Sequence, residues 1–438
     1  MCIAKVTGAP FVDNTNIMAA APAALSRLRI TPSPYHDNAL ADVSQHEGNP
    51  YTARISAWRP DTLVSSRKHN TIMSRDKNGH LRLAGRPADY QKLGIDPVEV
   101  APFEDGQRIS TEKGRYEWWY FDAHLDDGAT IVVVFYTKPN VSPNGPLAPR
   151  ITINLTLPDG RRFDKFYDTA ADQFTASKEG CDVQIGTNRF VGDLRRYRVT
   201  ATIEEISVEI ELTGEVRAWR PKSGHLYFGA EARERLFAWL PSVPQGAAHV
   251  RYKIGHEEHR ASGSGYHDHN WGDVPMQTLM HNWYWARAKA GPYTVIASHI
   301  TATEAYGYET QIVYMLAKDD EIVADDDVRV SFETERVATD GKTGKPVSDI
   351  TRYTYRGGDA RYVVTFERQQ TILQAILTER APFIKRLIAK IVGFDGAYHR
   401  FTGKVTIEKF DKDVLVDIFD DHAIWELMYF GKARPPTR

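Results

Sequence analysis

The sequence predicts an all-β protein built from antiparallel sheets, as a barrel or a sandwich. From residue 111 onward, short runs rich in β-branched and aromatic residues alternate with turns of Gly, Asp, Asn and Pro, the signature of strands joined by tight connections. No long helical stretch separates these runs, which argues against βαβ units and a parallel sheet. The length, 438 residues, exceeds what one hydrophobic core usually serves and predicts two domains.

Residues 1–48 are interrupted by Pro10, Pro22, Pro32 and Pro34 and read as an N-terminal arm with at most a short helix over Ala19–Arg29. Residues 49–110 mix signals. Thr52–Trp58 reads as a strand, Lys77-Asn78-Gly79-His80 as a turn, and Leu81 and Leu83 alternate after it. Tyr116–Leu125, the turn Asp126-Asp127-Gly128 and Thr130–Tyr136 read as a hairpin. Ile151–Leu157, Pro158-Asp159-Gly160 and Arg161–Tyr167 read as another. Strands are expected at Phe190–Ile203, Ser207–Thr213 and Leu226–Phe228.

Ala238–Gly246, with Pro241 and Pro244, reads as a crossover loop, and the domain boundary is set there. The expected division is an arm over 1–48, a first domain over 49–245 and a second over 246–438. In the second domain, strands are expected at Tyr252–Ile254, Asn282–Lys289, Tyr293–Ala302, Glu309–Ala317, Val328–Glu335, Arg352–Tyr355, Tyr362–Gln369, Phe401–Phe410 and Ala423–Phe430. One stretch departs from the strand pattern. Near 383–393, Ile384, Leu387, Ile388, Ile391 and Val392 share one helical face, which predicts a short amphipathic helix covering a barrel mouth or touching a membrane.

Apolar residues make up 42% and charged residues 26%, with a net charge of -2. This is the balance of a soluble globular protein, with no positive field to attract nucleic acid. Cys2 and Cys181 are too few and too unevenly placed for a disulfide framework. The start of the chain does not read as a signal peptide, and no window reaches 18 apolar residues. A cytoplasmic location is expected, with a peripheral membrane contact left open.

Three aromatic blocks concentrate the chemistry: Tyr116–Asp122, Gly265–Gly272 and His281–Trp285. They hold Trp118, Trp119, Trp271, Trp283 and Trp285 beside His267, Asp268, His269 and Asn270. Such a mixture is costly to bury unless its polar groups are paired. It marks an unusual core or a site. On a strand, Trp118, Tyr120 and Asp122 share one side, while Glu117, Trp119 and Phe121 share the other. One face can pack a core while the other lines a cavity. Trp283 and Trp285 likewise share a face, where their rings could stack on an unsaturated substrate or steady a developing cation.

Asp268 is the best single acid, since burial beside aromatic surface keeps a carboxylic acid protonated when no arginine or lysine pairs with it. The alternative is a carboxylate that ties the backbone together. Glu117 is the other candidate acid, or else a paired structural carboxylate. His267 and His269, two residues apart, could ligate a metal, but no third ligand follows at a recognisable spacing. The other reading has them fixing local geometry by hydrogen bonds. There is no Gly-x-Ser-x-Gly elbow, phosphate loop or His-Glu-x-x-His run. Neither a cofactor nor a metal is expected.

Tyr116-Glu117-Trp118-Trp119-Tyr120-Phe121-Asp122 and Gly265-Tyr266-His267-Asp268-His269-Asn270-Trp271-Gly272 resemble the two signatures of the hydroxyneurosporene synthase family, the carotenoid 1,2-hydratases. The wider superfamily includes kievitone-hydratase-like proteins, Diels–Alderase-type pericyclases, noncanonical terpene cyclases and AttH-like proteins. The resemblance covers residues 105–430. It implies two lipocalin-like antiparallel β-barrel domains packed together, with a hydrophobic small molecule between or inside them.

It also implies a cofactor-independent enzyme in which Asp268 protonates a carbon–carbon double bond of an isoprenoid-like substrate, giving hydration or cyclisation. His267 or His269 would orient the acid, and Tyr284 or His299 would hold the water. Trp118, Tyr120, Tyr266, Trp271, Trp283 and Trp285 would line the cavity. The competing readings are a pericyclase or isomerase of a polyene, and a lipocalin-like carrier of a hydrophobic ligand.

Overall fold

A computed structural model describes residues 81–140, 143–379 and 394–434. The expected arm over 1–48, the strand Thr52–Trp58, the turn over 77–80 and the amphipathic helix near 383–393 lie outside the described residues. Among the described residues the fold is all-β, with 62% strand and 8% helix arranged as two antiparallel sheets that curl as half-barrels.

The first sheet has 13 strands, all contributed before residue 273. They are β1 (Leu81–Leu83), β2 (Tyr116–Leu125), β3 (Thr130–Tyr136), β4 (Arg150–Thr156), β5 (Arg162–Asp168), β6 (Phe174–Ala176) and β7 (Cys181–Ile185). After them come β8 (Asn188–Gly192), β9 (Arg196–Ile203), β10 (Ile206–Gly214), β11 (His225–Phe228), β12 (Arg235–Ile254) and β13 (Glu257–Gly272). The order is β5-β4-β3-β2-β13-β12-β10-β9-β8-β7-β6, with β11 between β1 and β12. The second sheet has nine strands. They are β14 (Met280–Ala290), β15 (Tyr293–Ala302), β16 (Thr310–Lys318), β17 (Glu321–Ala324), β18 (Val330–Thr339), β19 (Pro346–Gly357), β20 (Ala360–Ile376), β21 (Ala397–Asp411) and β22 (Val414–Tyr429). Their order is β17-β16-β15-β14-β22-β21-β20-β19-β18.

The hairpins form where the turn chemistry places them. β2 and β3 coincide with the expected runs, and Gly128 closes their turn at φ 90°, a conformation L side chains avoid. The expected single strand Phe190–Ile203 divides into β8 and β9. Asp193 Oδ1 accepts the amides of Arg195 and Arg196 at 3.0 and 2.7 Å, which makes a local turn between them.

Ala238–Gly246 is not a loop but part of the 20-residue strand β12. The chain passes from one sheet to the other after Gly272 and before Met280. Proline is tolerated inside β12 because the strand changes partners there. It pairs β11 up to Ala238 and β10 from Gly246, and its register with β13 shifts between Leu240 and Val243 and again before Gly246. Missing N–H groups at Pro241 and Pro244 therefore leave no ladder bond broken.

Among the described residues, three large apolar cores and one small cluster follow from alternating side chains. Trp119, Phe121, Val133, Phe135 and Ile153 pack inside the first sheet. Tyr284, Ala286, Leu316, Phe401 and Trp425 pack inside the second. The third core lies between the sheets and joins Phe237, Trp239 and Tyr266 of the first to Met280, Ile300 and Met428 of the second. Burying a large apolar side chain contributes about 1.5–3 kcal/mol, so all three cores help hold the strands in place.

The register of β2 on β13 depends on a close approach at Gly263, which pairs Leu125. A Cβ there would overlap the His124 carbonyl oxygen. Gly263→Ala is expected to cost about 1–3 kcal/mol, read as a lower denaturant midpoint than wild type.

Candidate functional site

Between the two sheets lies a cavity of about 220 Å³. Its wall on the first sheet is made by Trp118, Tyr120, Phe237, Trp239, Tyr266, Asp268 and Asn270, and on the second by Met280, Trp283, Trp285, Tyr398, Glu426 and Met428. The two aromatic blocks of the first sheet pair directly. Asp122 sits opposite Tyr266, Tyr120 opposite Asp268 and Trp118 opposite Asn270. Cross-strand partners share a face, so the even-numbered residues of both strands meet at the cavity. Trp283 and Trp285 arrive from β14 by the same alternation.

Asp268 is the buried acid of this wall, only 8% exposed. Oδ2 accepts from the Tyr266 hydroxyl at 2.7 Å and the Trp239 indole N–H at 2.9 Å, and Oδ1 accepts from Asn270 Nδ2 at 2.7 Å. Burial pushes the carboxyl up to about 6, against the pull of the Tyr266, Trp239, His267 and Asn270 groups that favour the charged form. Among the described residues, no arginine or lysine forms an ion pair with it. Desolvation therefore wins over three donated hydrogen bonds.

A second acid, Glu426, lines the cavity from β22. It accepts from the Tyr398 hydroxyl at 2.6 Å and the Trp283 indole at 3.2 Å. Burial raises its pKa despite these donors and the nearby Arg400. Tyr120, Trp285, Tyr398 and Glu426 also border an adjoining polar chamber of about 280 Å³. Arg287 pairs with Asp122 there at 2.5 Å and lies over the Tyr266 ring, 4.9 Å from its centroid.

The odd-numbered residues point the other way. His267 and His269 are fully buried on the opposite face of β13 from Asp268. His267 Nδ1 donates to the Tyr120 carbonyl at 2.8 Å, and Nε2 faces Asp105 Oδ2 at 3.1 Å. A carbonyl only accepts, so Nδ1 carries a proton. Tyr197 donates to the same carboxylate oxygen at 2.5 Å. Burial alone would raise Asp105, but His267, His269 and Tyr197 together hold it below the usual range.

His269 Nε2 meets Glu117 Oε1 at 2.8 Å, its ring stacks on Trp119 at 4.6 Å, and Glu117 Oε1 also accepts the Arg108 amide at 2.6 Å. Asp105, Cys181 and His267 each offer a ligand atom, all within 4.8 Å of one another, and form the described grouping that could hold a metal. Its carboxylate oxygen Oδ2 is already engaged by Tyr197 and His267. The Cys181 thiol is free and buried, with its pKa raised by burial.

The remaining expected residues are dispersed. Trp271 packs with Ala238 and Leu240 outside the cavity. Tyr284 belongs to the second sheet's own core. His299 stacks on Phe332 at 4.4 Å, and burial lowers it to about 4. The structure thus brings Trp118, Tyr120, Tyr266, Asp268, Trp283 and Trp285 together at the cavity. Glu117, His267, His269, Trp271, Tyr284 and His299 lie elsewhere.

Sequence reasoning did not single out Trp239, Tyr398 or Glu426. Trp239 sits in the stretch read as a loop. A signal for Glu426 was present: it is the one charged residue in Ala423–Phe430, Ala-Ile-Trp-Glu-Leu-Met-Tyr-Phe, on an otherwise apolar strand.

The Diels-Alderase-like family matches the chain over residues 106–348, more than half of its 438 residues. A quinolone epoxide rearrangement protein of Emericella nidulans is 25% identical over 201 residues, 41% of this chain and 53% of that protein. A hydroxyneurosporene dehydrogenase of Chlorobaculum tepidum is 28% identical over 207 residues, 40% of this chain and 53% of its own. An acyclic carotenoid 1,2-hydratase of Thiocapsa roseopersicina is 24% identical over 234 residues, 49% and 53% of the two chains. The aligned region spans about half the length of each of these relatives. With both aromatic signatures inside the matched residues, the chain belongs to the Diels-Alderase-like family.

Proposed function

We propose that this protein is a cofactor-independent enzyme that protonates a carbon–carbon double bond of a hydrophobic, isoprenoid-like substrate held between the two sheets. Asp268 is the acid. The observation that carries the reading is its position, on an aromatic cavity wall with burial raising it to about 6 and no cationic partner beside it. Proton transfer from Asp268 would leave a tertiary cation facing Trp118, Trp283 and Trp285, whose ring faces stabilise positive charge. Capture by water, with loss of one of its protons back to the Asp268 carboxylate, gives hydration and restores the acid; capture by a neighbouring double bond, followed by loss of a C–H proton to the same carboxylate, gives cyclisation.

Tyr266, Trp239 and Asn270 orient the carboxyl in this scheme, the part first assigned to His267 and His269. Domain organisation belongs to the same reading: each sheet is taken as one domain, with the substrate at their junction.

The test is untargeted mass spectrometry of a hydrophobic cell extract incubated with the full chain or with Asp268→Asn. A product 18 mass units heavier than a consumed substrate, absent with the variant, is expected for hydration; an isomer of unchanged mass marks cyclisation. Full turnover by the variant would sink the acid role.

The family match favours one second reading, a pericyclase or isomerase in which the cavity holds a folded polyene and supplies proximity. Its rate would ignore Asp268→Asn but respond to cavity-filling changes such as Met428→Trp. A carrier would retain ligand and convert nothing.

The acid role also sets a pH dependence. Activity requires protonated Asp268, so kcat/KM falls as pH rises through about 6. Tyr266 donates to the ionised form and so lowers the pKa. Tyr266→Phe is therefore expected to move that limb upward by roughly one unit. A limb that stays in place would mean another group controls it.

A further inference from the structure

The polar chamber beside the cavity holds a guanidinium that the proposed chemistry does not use. Arg400 on β21 is half-buried in its wall. Tyr398, Tyr120, Asp122 and Glu426 line the same chamber. Asp122 is committed to Arg287 at 2.5 Å. Glu426 is committed to Tyr398 and Trp283. Among the described residues, no carboxylate forms an ion pair with Arg400; Tyr398 shares a hydrogen bond with it. An arginine carries five N–H donors in a planar fork suited to a carboxylate, and this one lines the chamber with no carboxylate ion pair to occupy it.

His124 also borders the chamber and is lowered to about 4 by burial, so it brings no charge at neutral pH. Asp421, His422 and Lys289 stand at the exposed rim, with Lys289 paired to Glu215. The chamber is continuous in its lining with the apolar cavity, since Tyr120, Trp285, Tyr398 and Glu426 border both. Arg400 and Glu426 both come from the second sheet, on β21 and β22, and lie outside residues 106–348 of the family match.

We propose that Arg400 anchors an oxyanion at one end of the substrate, a carboxylate or an enolate, while the unsaturated body fills the apolar cavity. The substrate is then amphiphilic, not a pure hydrocarbon. This rests on the reading that the cavity between the sheets holds the unsaturated body. Arg400 orients and selects the substrate; the proton still comes from Asp268.

The experiment uses two probes that differ only at the end group, cis-parinaric acid and its methyl ester, with the full chain at pH 8 and below micellar concentrations. Binding is read by energy transfer from tryptophan. The acid is expected to bind about ten-fold or more tightly than the ester, the scale of a charge-assisted bidentate contact. Arg400→Met should bind the ester as wild type does, which shows that it is folded, and should bind the acid no better than the ester. Equal affinities in wild type, or a preference that survives Arg400→Met, would overturn the proposal. Asp268→Asn should keep the preference for the acid. Loss of turnover there with the preference intact separates the anchor from the acid. If neither probe enters, the cavity reading fails and the anchor fails with it.

Discussion

Asp268→Asn is expected to reduce turnover by about 10²–10⁴-fold, the range that a positioned general acid supplies. The substitution keeps volume and removes the transferable proton. Affinity for a substrate or its analogue should change little, because the cavity is shaped by aromatic rings, so the loss appears in kcat, not KM. The same change should alter stability in a way that depends on pH. Burial raises the folded-state pKa of Asp268 from 3.8 to about 6. The folded protein therefore binds more protons than the unfolded chain between these values. The protonated acid's contribution is fully present below about pH 4 and is lost as pH rises through about 6, amounting to about 3 kcal/mol by pH 7. The asparagine variant is exempt from that loss. Its denaturation midpoint, relative to wild type, should improve between pH 5 and pH 8. An active variant would show that Asp268 is not the acid; a stability difference flat with pH would show that it is not protonated in its site.

Glu117→Ala is expected to destabilise the fold by about 2–5 kcal/mol, the cost of leaving two buried donors without their acceptor at about 1–3 kcal/mol each. Glu117 is fully buried. Its removal leaves His269 Nε2, now 2.8 Å from its carboxylate oxygen, and the Arg108 amide, 2.6 Å away, without an acceptor. Glu117→Gln keeps an acceptor oxygen and should cost less. The readout is the denaturant midpoint, with a second measurement to separate structure from catalysis. In protein that remains folded, the pH limb assigned to Asp268 should stay near 6, since Glu117 lies on the face of β2 away from the cavity. A moved limb at unchanged stability would place Glu117 in the reaction instead.

These two carboxyls show how far a sequence can be read. Glu117 and Asp268 both sit among tryptophans and both drew attention as acids. Alternation alone separates Glu117 from Trp118 and Tyr120, because successive side chains in a strand point to opposite faces. It cannot say which face becomes core and which becomes cavity. That is decided by the pairing of β2 with β13, more than 100 residues later in the chain, which aligns Tyr120 with Asp268 and Trp119 with His269. The histidines flanking Asp268 were natural orienters by proximity in sequence, yet a one-residue step in a strand sends them through the sheet to Asp105 and Glu117. Residues two positions away, Tyr266 and Asn270, hold the acid instead.

The sequence by itself determined the all-β class, the hairpins at Asp126–Gly128 and Pro158–Gly160, the grouping of side chains by face and, through its two signatures, the family. These are local properties: turn chemistry, period and motif. The tertiary structure alone decided that Trp239 reaches Asp268 from a strand carrying two prolines. It also decided that Glu426 and Tyr398 close the cavity, and that Arg400 stands over a chamber beside it. Each depends on which sheet face meets which, and that is set by burial of three cores at once, not by any short stretch of chain.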